Sequence, residues 1–270
     1  MKYPLVTIVI PTFNQGQYLP ACVDHCIFQT YPNIELIIVD GGSTDGTKKY
    51  LKDLKRQMKF KFNTPVINMD KEGNIVREKQ IAYPQNRSIK ILSFDYDTGA
   101  TKTYNEGFKM VTGEYCTYIV GDDIPHPHMI EEMVKALEST DSDFVYSDMN
   151  LVDDEGRIVR QIKLLDYDFK TCFADWYNLG VSHLYKTELH NTVGLMDEEN
   201  YKSANDYDHY LRFAMHGASF HHLPRVLYSV RFHGENRKTG QHTNKNYDNL
   251  LEESKLCAER ARNWLKNIVY

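Results

Sequence analysis

Apolar residues follow two rhythms along this chain. Leu5 to Ile10 and Ile34 to Val39 are short, mostly apolar β-branched runs, closed by Pro11 and Asp40. Such β-branched runs are too short for buried helices and predict strands covered on both faces. Between them, Leu19, Cys22, Val23, Cys26 and Ile27 recur on one side of a helix predicted from about Tyr18 to Gln29. A second helix is predicted from the glycine-rich loop Gly41 to Thr47 as far as about Gln57. This strand-helix-strand-helix order, with right-handed crossovers, predicts a parallel sheet. The same alternation continues with a strand over Ile89 to Phe94, a helix over Thr101 to Val111 and a strand over Glu114 to Val120. Pro127 to Glu138 reads as a helix, and Phe144 to Leu151 with Arg157 to Ile162 as a hairpin across Asp153-Asp154-Glu155-Gly156.

Residues 59–88 break the rhythm. They are polar and irregular, with Val66 to Met69 and Ile75 to Arg77 flanking a predicted turn at Asp70 to Asn74. The second half also changes character. Phe173 to Tyr185 is aromatic and irregular, Asn205 to His216 predicts a helix, and Val226 to Phe232 a strand. Gly234 to Asn246 predicts a mobile polar loop, and Asn246 to Trp264 a closing helix.

At 270 residues the chain is long enough for one large α/β domain or one domain plus an appendage, and 41% apolar and 26% charged residues are ordinary for a soluble globular protein. A net charge of −5 argues against sequence-independent nucleic-acid binding, which needs a basic surface. No apolar run approaches the roughly 18 residues of a membrane helix. Met1-Lys2-Tyr3-Pro4 leads directly into the first strand, without the pattern of a signal peptide. None of the five cysteines forms a Cys-x-x-Cys pair, and Cys22 and Cys26 read as small buried apolar residues. A cytoplasmic, reduced protein is expected.

The candidate chemistry centres on Gly113 to Pro127, a strand that runs out into Asp122 and Asp123. Ligands of open α/β sheets sit beyond the carboxyl ends of strands. Two acids there suit a hard divalent cation, although Asp and Pro also make ordinary turns. The loop after the first strand, Pro11-Thr12-Phe13-Asn14-Gln15-Gly16, is not a dinucleotide Gly-x-Gly-x-x-Gly. Gly41 and Gly46 have phosphate-loop spacing, but Thr47-Lys48 reverses the required order.

Together these segments resemble a family 2 glycosyltransferase of the GT-A fold. The resemblance is carried by Val6 to Asn14, Gln29 to Thr47, Asn105-Glu106-Gly107, Gly113 to Tyr115, Gly121-Asp122-Asp123, Asn205 to Arg212 and Arg231-Phe232-His233. It covers about residues 5–236. It implies a mostly parallel sheet flanked by helices, with a nucleotide-sugar-binding half (1–125) and an acceptor half (126–236). Residues 237–270 would form a loop and helix packed on that domain. It also implies inverting transfer from a nucleotide-diphospho-sugar, most often a UDP-sugar, to a hydroxyl of a glycan or lipid-linked acceptor in polysaccharide synthesis, at the inner face of the membrane.

By this resemblance Pro11, Thr12, Phe13, Asn14, Asp40, Gly41, Asp97, Gly99, Asn105 and Gly121 border the donor. Asp122 matches the last acid of an Asp-x-Asp motif that holds Mn or Mg on the diphosphate, with His233 a further metal or diphosphate contact. Asp206 matches the general base. The chemistry is consistent with these roles: the leaving diphosphate gains charge that a cation stabilises, and the acceptor hydroxyl must lose a proton. Trp176 and Tyr177 are candidates to stack on an acceptor sugar, against an ordinary role in the core.

Three positions depart from the family pattern. Gly41 stands where some members carry a second acid that contacts uracil. Val120 or Gly121 replaces the first acid of Asp-x-Asp, and Asn205 replaces the Glu before the base. These losses motivate an alternative, a nucleotide-sugar-binding scaffold without catalysis. A nucleotidyltransferase is a third reading, but the glycine-rich first loop expected there is absent.

Overall fold

The computed structural model describes residues 3–60, 63–81, 83–84, 86–233 and 244–268. The two apolar runs form its centre. β1 (Val6–Thr12) and β2 (Ile34–Asp40) are buried at every residue and pair in parallel. Val6, Ile8 and Ile10 face one core with Leu36 and Ile38, while Val9, Ile37 and Val39 face another. Successive side chains of a strand point to opposite faces, so a run with apolar residues at both parities serves both cores.

The remaining elements follow in chain order. α1 (Leu19–Ile27) precedes β2, and α2 (Thr47–Phe60) follows it. β3 (Asn63–Met69) and β4 (Ile75–Ile81) form a separate two-stranded hairpin, so the segment 59–88 carries more regular structure than its polarity predicts. β5 (Arg87–Ser93) pairs with β2, α3 (Ala100–Phe108) follows, and β6 (Tyr115–Tyr118) pairs with β1. Next come β7 (Ile124–Pro125), α4 (Met129–Thr140), β8 (Phe144–Val152), β9 (Ile158–Ile162) and a π-helical turn at Lys170–Asp175. β10 (His183–Lys186), α5 (Leu189–Val193), α6 (Asn205–Met215), β11 (Phe220–Arg231) and α7 (Asn244–Ile268) complete the chain.

The large sheet runs β5-β2-β1-β6-β10-β8-β11-β7, with β9 attached to β8. Its β5-β2-β1-β6 half is parallel, as the helical crossovers require. β10 then enters antiparallel to both neighbours, and β11 lies parallel to β8, so the second half is mixed. β11 begins six residues before the predicted Val226. Pro224 and Arg225 sit where its register with β8 shifts, between Leu223 and Val226. A proline is tolerated in a strand at such a bulge.

All five cysteines are free and buried, in keeping with their reading as small core residues. Among the described residues, no helix is long and apolar enough to cross a membrane. The predicted loop at 234–246 falls mostly outside the described residues.

Candidate active site

The site lies where β1, β2 and β6 run out at their carboxyl ends. The parallel register sets Thr12 beside Asp40. Asp40 is fully buried. One of its oxygens accepts the Ser43 N–H at 2.9 Å, and the other has no partner among the described residues. Thr12 Oγ1 and Gln15 Oε1 are likewise buried without partners. Buried polar atoms are normally paired, so three orphans at strand ends mark a place that expects a ligand.

Pro11 accepts the Gly121 N–H at 3.1 Å, tying the first loop to the acidic turn. Phe13 is half-buried in that loop. Asn14, in the left-handed region (φ 53°), accepts the Thr44 N–H at 2.8 Å and ties the loop to the glycine-rich turn after β2.

The two glycine departures have a packing cause. A Cβ on Gly41 would lie 2.6 Å from Thr103 Oγ1 and 3.1 Å from Thr98 Oγ1. A Cβ on Gly121 would lie 2.8 Å from Gln15 Oε1 and 2.9 Å from Thr12 Oγ1. A side chain at either position would require these hydroxyl and amide tips to shift. Asp97 is exposed and accepts the N–H of Gly99, the residue that opens α3. Thr98 N–H bonds to the Gly41 carbonyl, which holds this loop against the β2 turn. Asn105 commits its whole amide to the segment before α6, donating to the Met196 carbonyl and Glu198 and accepting the Met196 N–H. It therefore braces that segment rather than presenting a free group to a donor.

Asp122 and Asp123 follow β6, and both are buried. Asp123 is taken up internally: it accepts the Tyr228 hydroxyl at 2.9 Å and the Arg231 N–H at 2.8 Å. Asp122 Oδ2 lies 2.8 Å from His233 Nε2, and the other ring nitrogen lies 2.5 Å from Asp154 Oδ1. Tyr18 donates its hydroxyl to the same Asp154 oxygen at 2.8 Å. That bond first, with the His233 ring, holds Asp154 below the usual carboxylate range, while burial and Asp154 push Tyr18 up to about 12.

Arg231 ties these pieces together. It donates to the carbonyls of Asp122, Asp153 and Asp154 and lies 4.7 Å from the Tyr18 ring centre. Two cis ligands of an octahedral cation at about 2.1 Å would stand about 3 Å apart. The Asp122–His233 spacing fits that requirement. Among the described residues no three acidic, His or Cys side chains converge as a metal cage.

Asp206 opens α6 and lines a pocket of about 100 Å³ with Asp122, Tyr104, Tyr118, Val181 and Arg231. Burial pushes its carboxyl up to about 6, against partial compensation from backbone N–H groups and the Tyr177 and Tyr118 hydroxyls. Asn205 is buried, bonds Thr101 Oγ1 and accepts the Asp206 N–H. Tyr177 stacks on Tyr207 at 5.0 Å, whereas Trp176 is 42% exposed.

α6 is held from behind by α7. The Glu253 carboxylate accepts the N–H groups of Lys202, Ser203 and Ala204, the last two at 2.8 Å. Arg260 pairs with buried Asp208 at 2.6 Å, and Arg212 pairs with the same acid at 2.9 Å.

Residues 7–194 match the model of glycosyl transferase family 2, about seven-tenths of the chain. The chain belongs to glycosyltransferase family 2. Among its family relatives, the glycosyltransferase GlyG of Streptococcus pneumoniae serotype 4 is 31% identical over 52% of the chain, and an uncharacterized glycosyltransferase of Rickettsia felis is 25% identical over 86%. The matches span only 38% and 35% of those two proteins. Among solved structures, Staphylococcus aureus TarS 1–349 in complex with UDP-GlcNAc aligns with a TM-score of 0.67 at 18% identity, covering 94% of this chain and 65% of that one. The mannosyltransferase PcManGT of Pyrobaculum calidifontis, in complex with GDP-Man and Mn2+, aligns at 0.60 and 15% identity, covering all of this chain and 76% of that one. These likenesses establish the GT-A-like fold: one mixed α/β domain with a curled central sheet and flanking helices. Both α6, with Asp206, and α7 lie beyond the stretch matched by the family model.

Proposed function

We propose that this family 2 chain transfers a hexose from a UDP-sugar to a hydroxyl of a glycan or lipid-linked acceptor, with inversion. The observation that carries the reading is Asp206, a carboxyl raised to about 6 in the pocket it shares with Asp122. A base is most useful when its pKa lies near the working pH. The acceptor hydroxyl would give its proton to Asp206 as its oxygen bonds to the anomeric carbon. The bond from that carbon to the diphosphate breaks at the same time, and the electron pair leaves with the diphosphate. A single displacement of this kind inverts the anomeric centre.

Asp122 and His233 would hold Mn or Mg, leaving the other coordination positions to diphosphate and water oxygens. The cation would stabilise the charge that develops on the leaving diphosphate. Asp154, donor-bonded by Tyr18, would keep the His233 ring turned so that Nε2 faces the cation. Thr12, Gln15 and Asp40 would take hydrogen bonds from the nucleoside through their orphan atoms. UDP is favoured because the TarS neighbour is described with UDP-GlcNAc. Retention of Asp40, Asp122 and Asp206 argues against the scaffold reading, and sugar transfer to any acceptor would reject it.

The test is Asp206→Asn. Sugar transfer should fall at least about 100-fold, while UDP binding with Mn, measured by calorimetry, stays close to that of the unsubstituted protein. Equal loss of both would reject the base. A thermal-shift panel of UDP, GDP, dTDP and CDP, each with Mn, Mg or EDTA, tests the donor. A larger shift with another nucleotide would reject UDP.

A further inference from the structure

α3 touches two parts of the site. One of its faces is packed on the strands whose ends carry the orphan atoms. A Cβ on Gly107 would collide with Val9 Cγ1 and lie 3.3 Å from Val39 Cγ2, so glycine lets the helix rest directly on β1 and β2. Phe108 shares a core with Val9, Ile37 and Val39. The loop before the helix is tied to the same strand ends: the Thr98 N–H donates to the Gly41 carbonyl at 3.1 Å, and the Gly41 N–H to the Thr12 carbonyl at 2.9 Å. The Thr98 hydroxyl lies 2.8 Å from that of Thr103, inside α3.

Thr101 and Asn105, one helical turn apart and both buried, hold the segment that leads into α6. Thr101 donates its hydroxyl to the Tyr201 carbonyl at 2.9 Å and accepts Asn205 Nδ2 at 3.1 Å. The amide oxygen of Asn205 accepts the Asp206 N–H at 2.8 Å. Each direction is forced, because a carbonyl only accepts and a backbone N–H only donates. Residue 205 therefore donates and accepts at once, which an amide does and a carboxylate does not. A glutamate here would also bury a second charge beside Asp206.

We propose that Thr101 and Asn205 are positioning residues that hold Asp206 in register with the nucleotide pocket. α3 is fixed to the strand ends on one side, and the Thr101–Asn205 bond carries its placement to the first residues of α6. Glu253 reaches the same region from α7, but it takes up the N–H groups of Lys202, Ser203 and Ala204 and makes no tie to β1 or β2 through them. Register matters because a displacement of about 1 Å at a reacting group can cost on the order of 100-fold in rate. The proposal rests on Asp206 as the base, and its tests separate the two.

Hydrogen exchange of the ligand-free protein reads the bridge without substrate. In Thr101→Val the amides of residues 196–207 should exchange at least about tenfold faster, because a buried amide group loses its partner. Those of β1 and β2 should keep their rates, and Thr101→Ser should restore slow exchange. Turnover reads the positioning. With Mn2+, water as acceptor and UDP-GlcNAc, the sugar nucleotide of the TarS neighbour, kcat for UDP release should fall about tenfold in Thr101→Val at unchanged donor KM. In an Asn205→Ala background the same substitution should cost no more than about threefold, since the bond it breaks is already gone. Unchanged exchange at 196–207, faster exchange throughout the chain, losses that multiply in the double variant, or a donor KM that rises as kcat falls would each overturn the proposal. Asp206→Asn releasing UDP at the unsubstituted rate would reject the base reading, and no UDP release by the unsubstituted protein would reject the transfer reading. In either case the exchange rates still decide whether the bridge holds α6.

Discussion

Replacing the proposed base should make the protein more stable, and the gain should depend on pH. Asp206 has its carboxyl raised from 3.8 to about 6 by burial. Below about pH 4 the group is protonated in both the folded and unfolded chain and costs nothing. Between about pH 4 and pH 6 the unfolded chain ionises first, so the cost of holding the charge in the pocket grows; above pH 6 it is complete. At about 1.4 kcal/mol per unit the full cost is about 3 kcal/mol. Because the carboxyl is only half-buried, water screens part of this, and about 1–2 kcal/mol is a realistic expectation.

Asparagine keeps an oxygen to accept the Tyr207 N–H now bonded at 2.8 Å to Asp206. Asp206→Asn should therefore melt about 2–8 °C higher at pH 8 without ligand, for a chain of this size. At pH 5 the gain should be about half as large, because the cost is then about half developed. The assay is thermal or urea unfolding of both proteins at the two pH values. A variant less stable at pH 8, or a gain unchanged between pH 5 and pH 8, would refute the claim that the fold holds a desolvated charge at this position.

The same carboxyl predicts that kcat/KM rises with pH to a plateau, with a midpoint near 6; a flat profile from pH 5 to pH 8 would exclude Asp206 as base. Asp154→Asn should weaken Mn2+ binding, followed by electron spin resonance, by about 10–100-fold without changing UDP affinity in EDTA. Glu253→Ala should lower kcat by roughly 100-fold by letting the base helix shift, and Glu253→Gln, which keeps an acceptor oxygen, should recover part of it. An equal fall in UDP affinity would show that Glu253 supports the whole domain instead. Gly41→Asp should destabilise the protein by about 1–3 kcal/mol through collision with Thr103 and Thr98 rather than tighten UDP binding; unchanged melting with tighter UDP would refute the packing explanation.

The amino-terminal half of the sheet was legible because its signals are local. β1 and β2 are short runs rich in β-branched apolar residues, Asp40 is the last residue of β2, and Asp122 lies in the turn after β6. The short elements β7, β10 and α5 were missed because two to five residues are too few to display a period. The first part of β11 was hidden by Pro224. The supports of the site were invisible for another reason. Tyr18 meets Asp154 across 136 positions, and His233 meets Asp122 across 111. In the sequence Asp154 is one acid of a turn, and Glu253 is one charge on an amphipathic helix. Only the fold brings the first against a histidine and the second against three backbone N–H groups.

The fastening of α6 by α7 sets the order in which this protein becomes competent as it is made. Every orphan atom of the donor pocket, together with Asp122, has been synthesised by residue 122, less than halfway along the chain. The carboxylate and guanidinium that hold the base helix come from residues 253 and 260. Domains fold as units, so this one domain completes its site only when Arg231 and His233 reach Asp122 and Glu253 and Arg260 reach α6. A product cut short before Glu253 would keep Asp206 in its sequence but lose the acceptor for the Lys202, Ser203 and Ala204 N–H groups, leaving the start of α6 without its brace.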